Sequence, residues 1–219
     1  MEKISVMFQK LAAHLGLLLF PSVPKLREIE TMRPQEFLER ASRPIDELPG
    51  VISLFDYDDP LVRQAVKALK YEGNCMIADI FAAVLYDVIL EELAEEKLFS
   101  NFTNPILVPV ALSRERLKER GWNQSELIAK RIGQLDRNIN FEIRTDILKK
   151  IRHTVSQTKL DRSKRLKNLA GCFEASSVCS GRNIILLDDV ATTGSTIEEA
   201  EKALKSAGAR RVIAFTIAH

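Results

Sequence analysis

Hydrophobic positions alternate along the chain between helical and strand periods, and that alternation already outlines an architecture. Ile4, Met7, Phe8, Leu11, Leu15, Leu18 and Leu19 recur at helical spacing and predict a docking helix up to about Phe20, with Gly16 a weak point inside it. Pro21, Pro24, Pro34, Pro44 and Pro49 interrupt the next stretch, so residues 21–50 read as irregular chain with one short helix around Gln35 to Arg40. Val51 to Tyr57 is strand-like and leads through Pro60, well placed at a first helical turn, into a helix with Leu61, Val62, Ala65, Val66 and Leu69 on one face. From about Asn74 to Glu95 apolar doublets such as Ile80-Phe81 and Val84-Leu85 predict a core helix with a wide buried face.

Pro105 to Val110 reads as a short apolar strand whose outlet, Ala111 to Gly121, is a basic loop, and a helix follows from about Asn123 to Leu135. Phe141 to Ile147 predicts a further strand. Ile184 to Leu187, four apolar residues in a row, fits a strand buried on both faces, as in a parallel sheet. Ile197, Ala200, Ala203, Leu204 and Ala207 then recur at helical spacing, Gly208 supplies the stop, and Arg211 to Ala218 is a last strand. Strands alternating with helices predict an α/β fold: an open, mostly parallel twisted sheet flanked by helices over residues 51–219, preceded by a helical and irregular extension over residues 1–50.

Composition narrows the class without naming an activity. A chain of 219 residues suits one α/β domain and a modest extension. The hydrophobic share of 46% and charged share of 28% are those of a soluble globular protein, and a net charge of +2 leaves any polyanion preference to local clustering. The clearest cluster is Lys149 to Lys167, with eight basic side chains against Asp161 and no aromatic residue inside it for stacking bases. Cys75, Cys172 and Cys179 form neither a C-x-x-C pair nor a disulfide framework, so a reducing cytoplasm is the expected compartment. The apolar run from Leu11 to Phe20 is broken by His14, lacks an A-x-A cleavage site and is too short to span a bilayer.

The candidate chemistry lies where the Ile184 strand ends. Asp188 and Asp189 arrive at the strand's exit, and Ala191, Thr192, Thr193, Gly194, Ser195 and Thr196 make a small-residue turn with four hydroxyls, where backbone N–H groups can approach an anion. A helix beginning there adds partial positive charge. Carboxylates repel that anion, but they accept hydrogen bonds from vicinal hydroxyls or hold a divalent cation such as Mg²⁺. Phosphate at one end and a diol beside it describe a ribose 5-phosphate. Paired aspartates alone are a weak signal, and no G-x-x-x-x-G-K-[ST] or G-x-G-x-x-G occurs. The whole run Leu186 to Thr196 resembles the phosphoribosyl pyrophosphate (PRPP) signature of the type I phosphoribosyltransferases.

Further landmarks sharpen that resemblance. Tyr57-Asp58-Asp59-Pro60, Leu69-Lys70-Tyr71-Glu72-Gly73, Val108-Pro109-Val110, Arg120-Gly121-Trp122-Asn123-Gln124, Gln157, Arg165, Asn168, Gly171 and Phe173 precede the signature in an order and spacing similar to the ComF family. That family comprises phosphoribosyltransferase-like proteins associated with bacterial DNA uptake, and the resemblance covers the chain from about Ser53 onward. It implies that Asp188 and Asp189 hold the ribose hydroxyls, directly or through Mg²⁺, and that Ala191 to Thr196 hold the 5-phosphate. It further implies a pyrophosphate loop at Ala111, Leu112, Ser113 and Arg114, and a mobile loop carrying Arg152, Gln157 and Arg165. Two departures stand out. The four-cysteine zinc module common near the family's N-terminus has no counterpart after Phe20-Pro21, so no zinc is expected, and Ala111 replaces the family's second proline.

The function so implied is Mg²⁺-dependent attack of an unidentified nucleophile on C1 of PRPP with loss of pyrophosphate. The alternative is a non-enzymatic accessory protein of DNA uptake whose basic segment contacts single-stranded DNA or another uptake protein. The sequence leaves open the acceptor and the choice between monomer and homodimer.

Overall fold

The structure, a computed structural model, describes residues 25–137, 139–152 and 171–219. The expected helix over residues 1–20 and the site candidates Gln157 and Arg165 lie outside the described residues. Two short helices come first, α1 (Leu26–Glu30) and α2 (Pro34–Arg40), then β1 (Val51–Phe55), α3 (Pro60–Glu72), α4 (Cys75–Ser100), β2 (Ile106–Pro109), α5 (Arg114–Arg120), α6 (Gln124–Leu135) and β3 (Glu142–Ile143). After these come β4 (Leu148–Lys150), β5 (Phe173–Ala175), β6 (Asn183–Val190), α7 (Ser195–Ser206) and β7 (Arg211–Ala218).

Five strands form one sheet in the order β1-β7-β6-β2-β3, with every pairing parallel. β4 and β5 form a separate antiparallel pair. This is the α/β architecture that the hydrophobic pattern predicts. β6 is buried from Asn183 to Asp189, and its side chains alternate between two cores. Ile185 and Leu187 join Phe215 and Ile217 of β7 against α3, α4 and α6, whereas Ile184 and Leu186 pack with Ile197, Ala200 and Leu204 of α7. A strand with both faces covered needs the unbroken apolar run seen in its sequence.

Local chemistry sets the helix ends. Asp59 caps α3 by accepting from Leu61 N at 2.7 Å with Pro60 at the first turn, and Gly73 ends it at φ 61°. Asn74 caps α4 at Ile77 N, and the doublets become its buried stripe from Ile77 to Ile89. The helix continues past the expected Glu95 to Ser100.

Three expectations are corrected. The stretch Ala111 to Gly121 is not a loop throughout: Ser113 accepts from Arg116 N, Gly121 stops the turn at φ 84°, and residues between them form α5. Phe141 to Ile147 is not one strand. The chain leaves the sheet after Ile143 and bends over residues 145–147 before β4, and in that bend Arg144 forms 2.8 Å contacts with both carboxylate oxygens of Asp146. Within residues 25–50 the short helix expected around Gln35 to Arg40 is present as α2 and the stretch after it is irregular as expected, but the segment packs into the core. Pro34 starts α2 instead of breaking it, and Ile29, Met32, Phe37 and Ala41 are buried in the main core. The Phe37 ring stands edge-on to Phe55 at 5.3 Å and to Phe81 at 5.5 Å.

One topological feature creates the crevice in which a ligand can sit. β2 and β6 are neighbours, yet their continuations diverge: α6 carries the chain from β2 outward to β3 across one face, and α7 carries it from β6 back to β7 across the other. Ligands of open parallel sheets bind beyond the carboxyl ends of strands at such a switch point.

Candidate ligand-binding site

β6 delivers Asp188 and Asp189 to this crevice, 8% and 4% exposed. Asp188 Oδ1 accepts from the hydroxyl of Ser125, in the first turn of α6, at 3.0 Å and from the Asp189 N–H at 2.9 Å. Burial, and after it the charge of Asp189, pushes the Asp188 carboxyl far above the usual carboxylate range, while the Asp189 N–H, Lys70 and Ser125 pull the other way. Asp189 faces Lys70, from the last turn of α3, whose Nζ lies 3.0 Å from Oδ2. The approach is not aligned as a hydrogen bond, and Oδ2 has no hydrogen-bond partner. The contact is an ion pair that leaves acceptor capacity on Oδ2. Burial opposes the charge on Lys70, but Asp189 with Asp188 behind it outweighs this and holds the ammonium above its ordinary pKa.

The turn after β6 is the second component. Ala191 anchors it: its N–H donates to Ala218 O at 3.0 Å and its carbonyl accepts from His219 Nδ1 at 2.9 Å. Its N–H is thus committed elsewhere, and the anion-facing part of the turn starts at Thr192. Thr193 and Ser195 exchange a hydroxyl contact of 2.8 Å, which fixes both side chains before any ligand arrives. Gly194 sits at φ 71°, and a Cβ there would come within 3.1 Å of Leu48 Cδ2. This is a position where only glycine fits without strain. The same contact makes the segment before β1 a buttress of the turn. α7 begins at Ser195 with its N-terminal N–H groups directed at the turn, where a phosphate would lie.

Opposite the turn stand the residues after β2. Val110 N donates to Leu187 O at 2.8 Å, and Asn123 Nδ2 donates to Val110 O at 2.9 Å, so both neighbours of the switch point hold the loop. Ala111 and Leu112 line a pocket of about 270 Å³ together with the turn, the two aspartates, Lys70, Arg116, Arg120 and Lys150. Ser113 is buried as the cap of α5. Arg114 and Arg152 line an adjoining cavity instead, which shares Ala111, Leu112 and Lys150 with the first.

The aspartate pair, the turn and the loop at 111–112 thus meet in one pocket, while Arg114 and Arg152 border it. Sequence reasoning missed Lys70, Arg116, Arg120 and Lys150 as pocket residues. Arg116 was hidden because a loop has no faces; once 114–120 coils into α5, residues two apart project to opposite sides. Lys70 did lie within the quoted Leu69 to Gly73 landmark, which was the one signal for it. Lys150 came only as one charge in a basic run. Burial, assisted by the positive charge of Arg116, lowers its pKa, and its Nζ lies 5.2 Å from the Phe173 ring centroid. With four cations and two carboxylates lining it, the pocket favours a polyanion that also carries hydroxyls.

The donor set is compatible with Mg²⁺ of a particular kind. Two carboxylates with an unpartnered buried oxygen on Asp189 offer hard ligands, but among the described residues no three His, Cys, Asp or Glu side chains gather into a metal cage. Mg²⁺ characteristically uses one or two carboxylates and completes its shell with substrate phosphates and water. The residues fit an ion that arrives with a polyphosphate.

The chain is similar in sequence to known proteins. Residues 121–219 match the family described as phosphoribosyl transferase domain. The chain is 31% identical over 165 residues to the competence protein ComFC of Streptococcus pneumoniae, covering 75% of this chain and 66% of that protein. It is 28% identical to competence protein F of Haemophilus influenzae, over 70% of this chain and 66% of the other. It is 29% identical to the DNA utilization protein YhgH of Escherichia coli (strain K12), over 74% and 68%. The chain spans about two thirds of the length of these relatives. A solved hypoxanthine phosphoribosyltransferase from Staphylococcus aureus aligns with 60% of this chain and 61% of its own at 15% identity and a TM-score of 0.31, a likeness too slight to weigh. No helix among the described residues is long and apolar enough to cross a membrane.

Proposed function

The chain belongs to the ComF family of phosphoribosyltransferase-like proteins, and from that premise we propose that its pocket binds PRPP with Mg²⁺ and transfers the phosphoribosyl group to an acceptor nucleophile in the cytoplasm. The observation that carries this reading is the meeting of Asp188 and Asp189 with the Thr192 to Thr196 turn in one pocket whose other wall is cationic.

Each part then has a chemical task. The turn and the α7 N-terminus bind the 5-phosphate through backbone N–H groups and the hydroxyls of Thr192, Thr193, Ser195 and Thr196. Asp188 and Asp189 orient the ribose by accepting from its hydroxyls. Nucleophilic attack at C1 breaks the C1–O bond, and the electron pair leaves with pyrophosphate, so negative charge grows on the side of Ala111, Leu112, Arg116 and Lys150. Backbone N–H groups of the loop and the cations that line that wall would stabilise the charge. Bound Mg²⁺ would supply further charge neutralisation on the pyrophosphate oxygens. Arg114, Arg152, Gln157 and Arg165 are proposed as additional contacts at the pocket's margin.

Thermal denaturation with PRPP and Mg²⁺ tests the site. We expect a clear rise in Tm for the native chain and none for the Asp188→Ala/Asp189→Ala variant; a rise retained in that variant removes the aspartates from the site. Pyrophosphate release with a panel of bases and amines tests the reaction. The relatives named for competence and DNA utilization support a second reading, in which PRPP is bound as an effector by an accessory protein of DNA uptake. Measurable PRPP binding with no turnover across the panel would favour that role.

A further inference from the structure

We propose that Lys150 is an amine nucleophile that captures the aldehyde of an open-chain pentose 5-phosphate as an imine, a second activity of this pocket. It rests on the reading of the pocket as a ribose 5-phosphate site and adds a covalent reaction with the sugar when C1 carries no pyrophosphate.

Two lysines line the pocket, and their surroundings differ in kind. Burial alone would lower the pKa of Lys70, but its Nζ lies 3.0 Å from Asp189 Oδ2 and that ion pair keeps it an ammonium. Lys150 has no such partner. Among the described residues its Nζ is paired with no carboxylate, and it sits 5.2 Å from the Phe173 ring centroid, a weaker hold on a proton than an ion pair gives. Phe173 stands directly across the β4 and β5 pair and is itself buried, so the hairpin fixes the base of the lysine side chain. Burial disfavours the ammonium and Arg116 adds a like charge, which Cys172 and Asp188 do not offset. A desolvated lysine near a second cation is a setting in which the amine becomes a nucleophile. Burial pushes the nearby Cys172 thiol up, so it stays protonated and does not compete.

Position completes the argument. Lys150 lies on the wall shared by the pocket and the adjoining cavity of about 450 Å³. A phosphate seated at the Thr192 to Thr196 turn puts C1 at the far end of the pentose chain, toward this wall, and the adjoining cavity gives the chain room once the ring has opened. The Lys150 nitrogen lone pair forms the N–C1 bond, the C1–O bond breaks, and the oxygen leaves as water with both nitrogen protons. Neither oxidant nor reductant is needed. With PRPP bound, the C1 oxygen carries pyrophosphate, no aldehyde exists, and Lys150 faces the phosphates as an ammonium.

Incubation with ribose 5-phosphate and sodium cyanoborohydride, which reduces an imine to a stable amine, tests this by intact mass and peptide mapping. The native chain should gain one pentose phosphate less one oxygen atom, mapped to Lys150 and formed at least about tenfold faster than at any exposed lysine, because the sugar is held beside the amine. Lys150→Arg, which keeps the charge, should lose this adduct, and Lys149→Arg should keep it. Adducts mapped to Lys70, or spread over surface lysines at equal rates, overturn the proposal, and mapping on the native chain decides this even where Lys150→Arg does not fold. The free sugar phosphate and an abasic 5′-phosphorylated end of a DNA strand present the same aldehyde, so both are run: the one captured faster is the source, and capture of neither at Lys150 overturns the proposal. A PRPP thermal shift is measured alongside. A shift without the adduct removes the capture and keeps the PRPP reading, whereas the adduct without a shift removes the PRPP reading and leaves Lys150 as the nucleophile.

Discussion

Asp188 illustrates how a single side chain is placed at a cost to stability. Its folded pKa is pushed from 3.8 up to about 7, chiefly by burial and then by Asp189. A carboxyl whose folded pKa lies above its unfolded value binds protons more readily in the native state. Its contribution to stability is complete below pH 3.8 and is lost as pH rises through about 7. The ligand-free protein is therefore expected to lose Tm between these values, and Asp188→Asn, which keeps an acceptor for Ser125 without the titration, should flatten that slope. Calorimetry across this pH range in both proteins provides the check, with unchanged slopes counting against the assignment. Gly194 is a second residue held under constraint. Gly194→Ala meets both a left-handed φ and Leu48, and we expect a loss of about 1–3 kcal/mol, read by urea denaturation, together with weaker PRPP binding.

At the scale of elements, the clamp between α3 and the loop before α6 decides where the pocket's cations stand. Trp122 holds the end of α3 through Leu69 O, and the Arg120 guanidinium lies 5.5 Å from the Tyr71 ring centroid while donating to Gln124 Oε1 at 3.3 Å. The end of α3 is thereby fastened to the end of α5 and the loop after it, distant in sequence, beside the pocket. Trp122→Phe keeps most of the ring but leaves Leu69 O without its donor. It should cost about 1 kcal/mol in urea denaturation and lower PRPP affinity more than stability alone explains, because the end of α3 that carries Lys70 is no longer tied to the loop before α6. An affinity unchanged within error would assign Trp122 to packing only. The elements themselves were legible from periodicity where burial is uniform, as in β6, β7 and the doublets of α4. Legibility failed at α5, where charged residues give no apolar stripe, and at β3, where polar pairing competes with the ladder.

On the scale of the whole molecule, the segment before β1 packs into the same core as one face of the sheet. Phe37 is fully buried between Phe55 and Phe81, and Leu48 packs toward Gly194. Phe37→Ala should cost about 3–5 kcal/mol and lower a single transition, and a chain starting at Val51 should fail to unfold cooperatively. Two separate transitions would instead make residues 25–50 an independent appendage. The sequence by itself determined the α/β class, the strand that ends in Asp188-Asp189 and the hydroxyl-rich turn, because each is a contiguous run whose burial pattern or backbone demand is written locally. Only the tertiary structure decided which cations face that turn, that Lys70 pairs with Asp189, and that the early proline-rich segment is core. Those facts depend on strand order and on the rotation of each helix about its own axis, which bring together residues far apart along the chain and leave no period in the sequence to mark them.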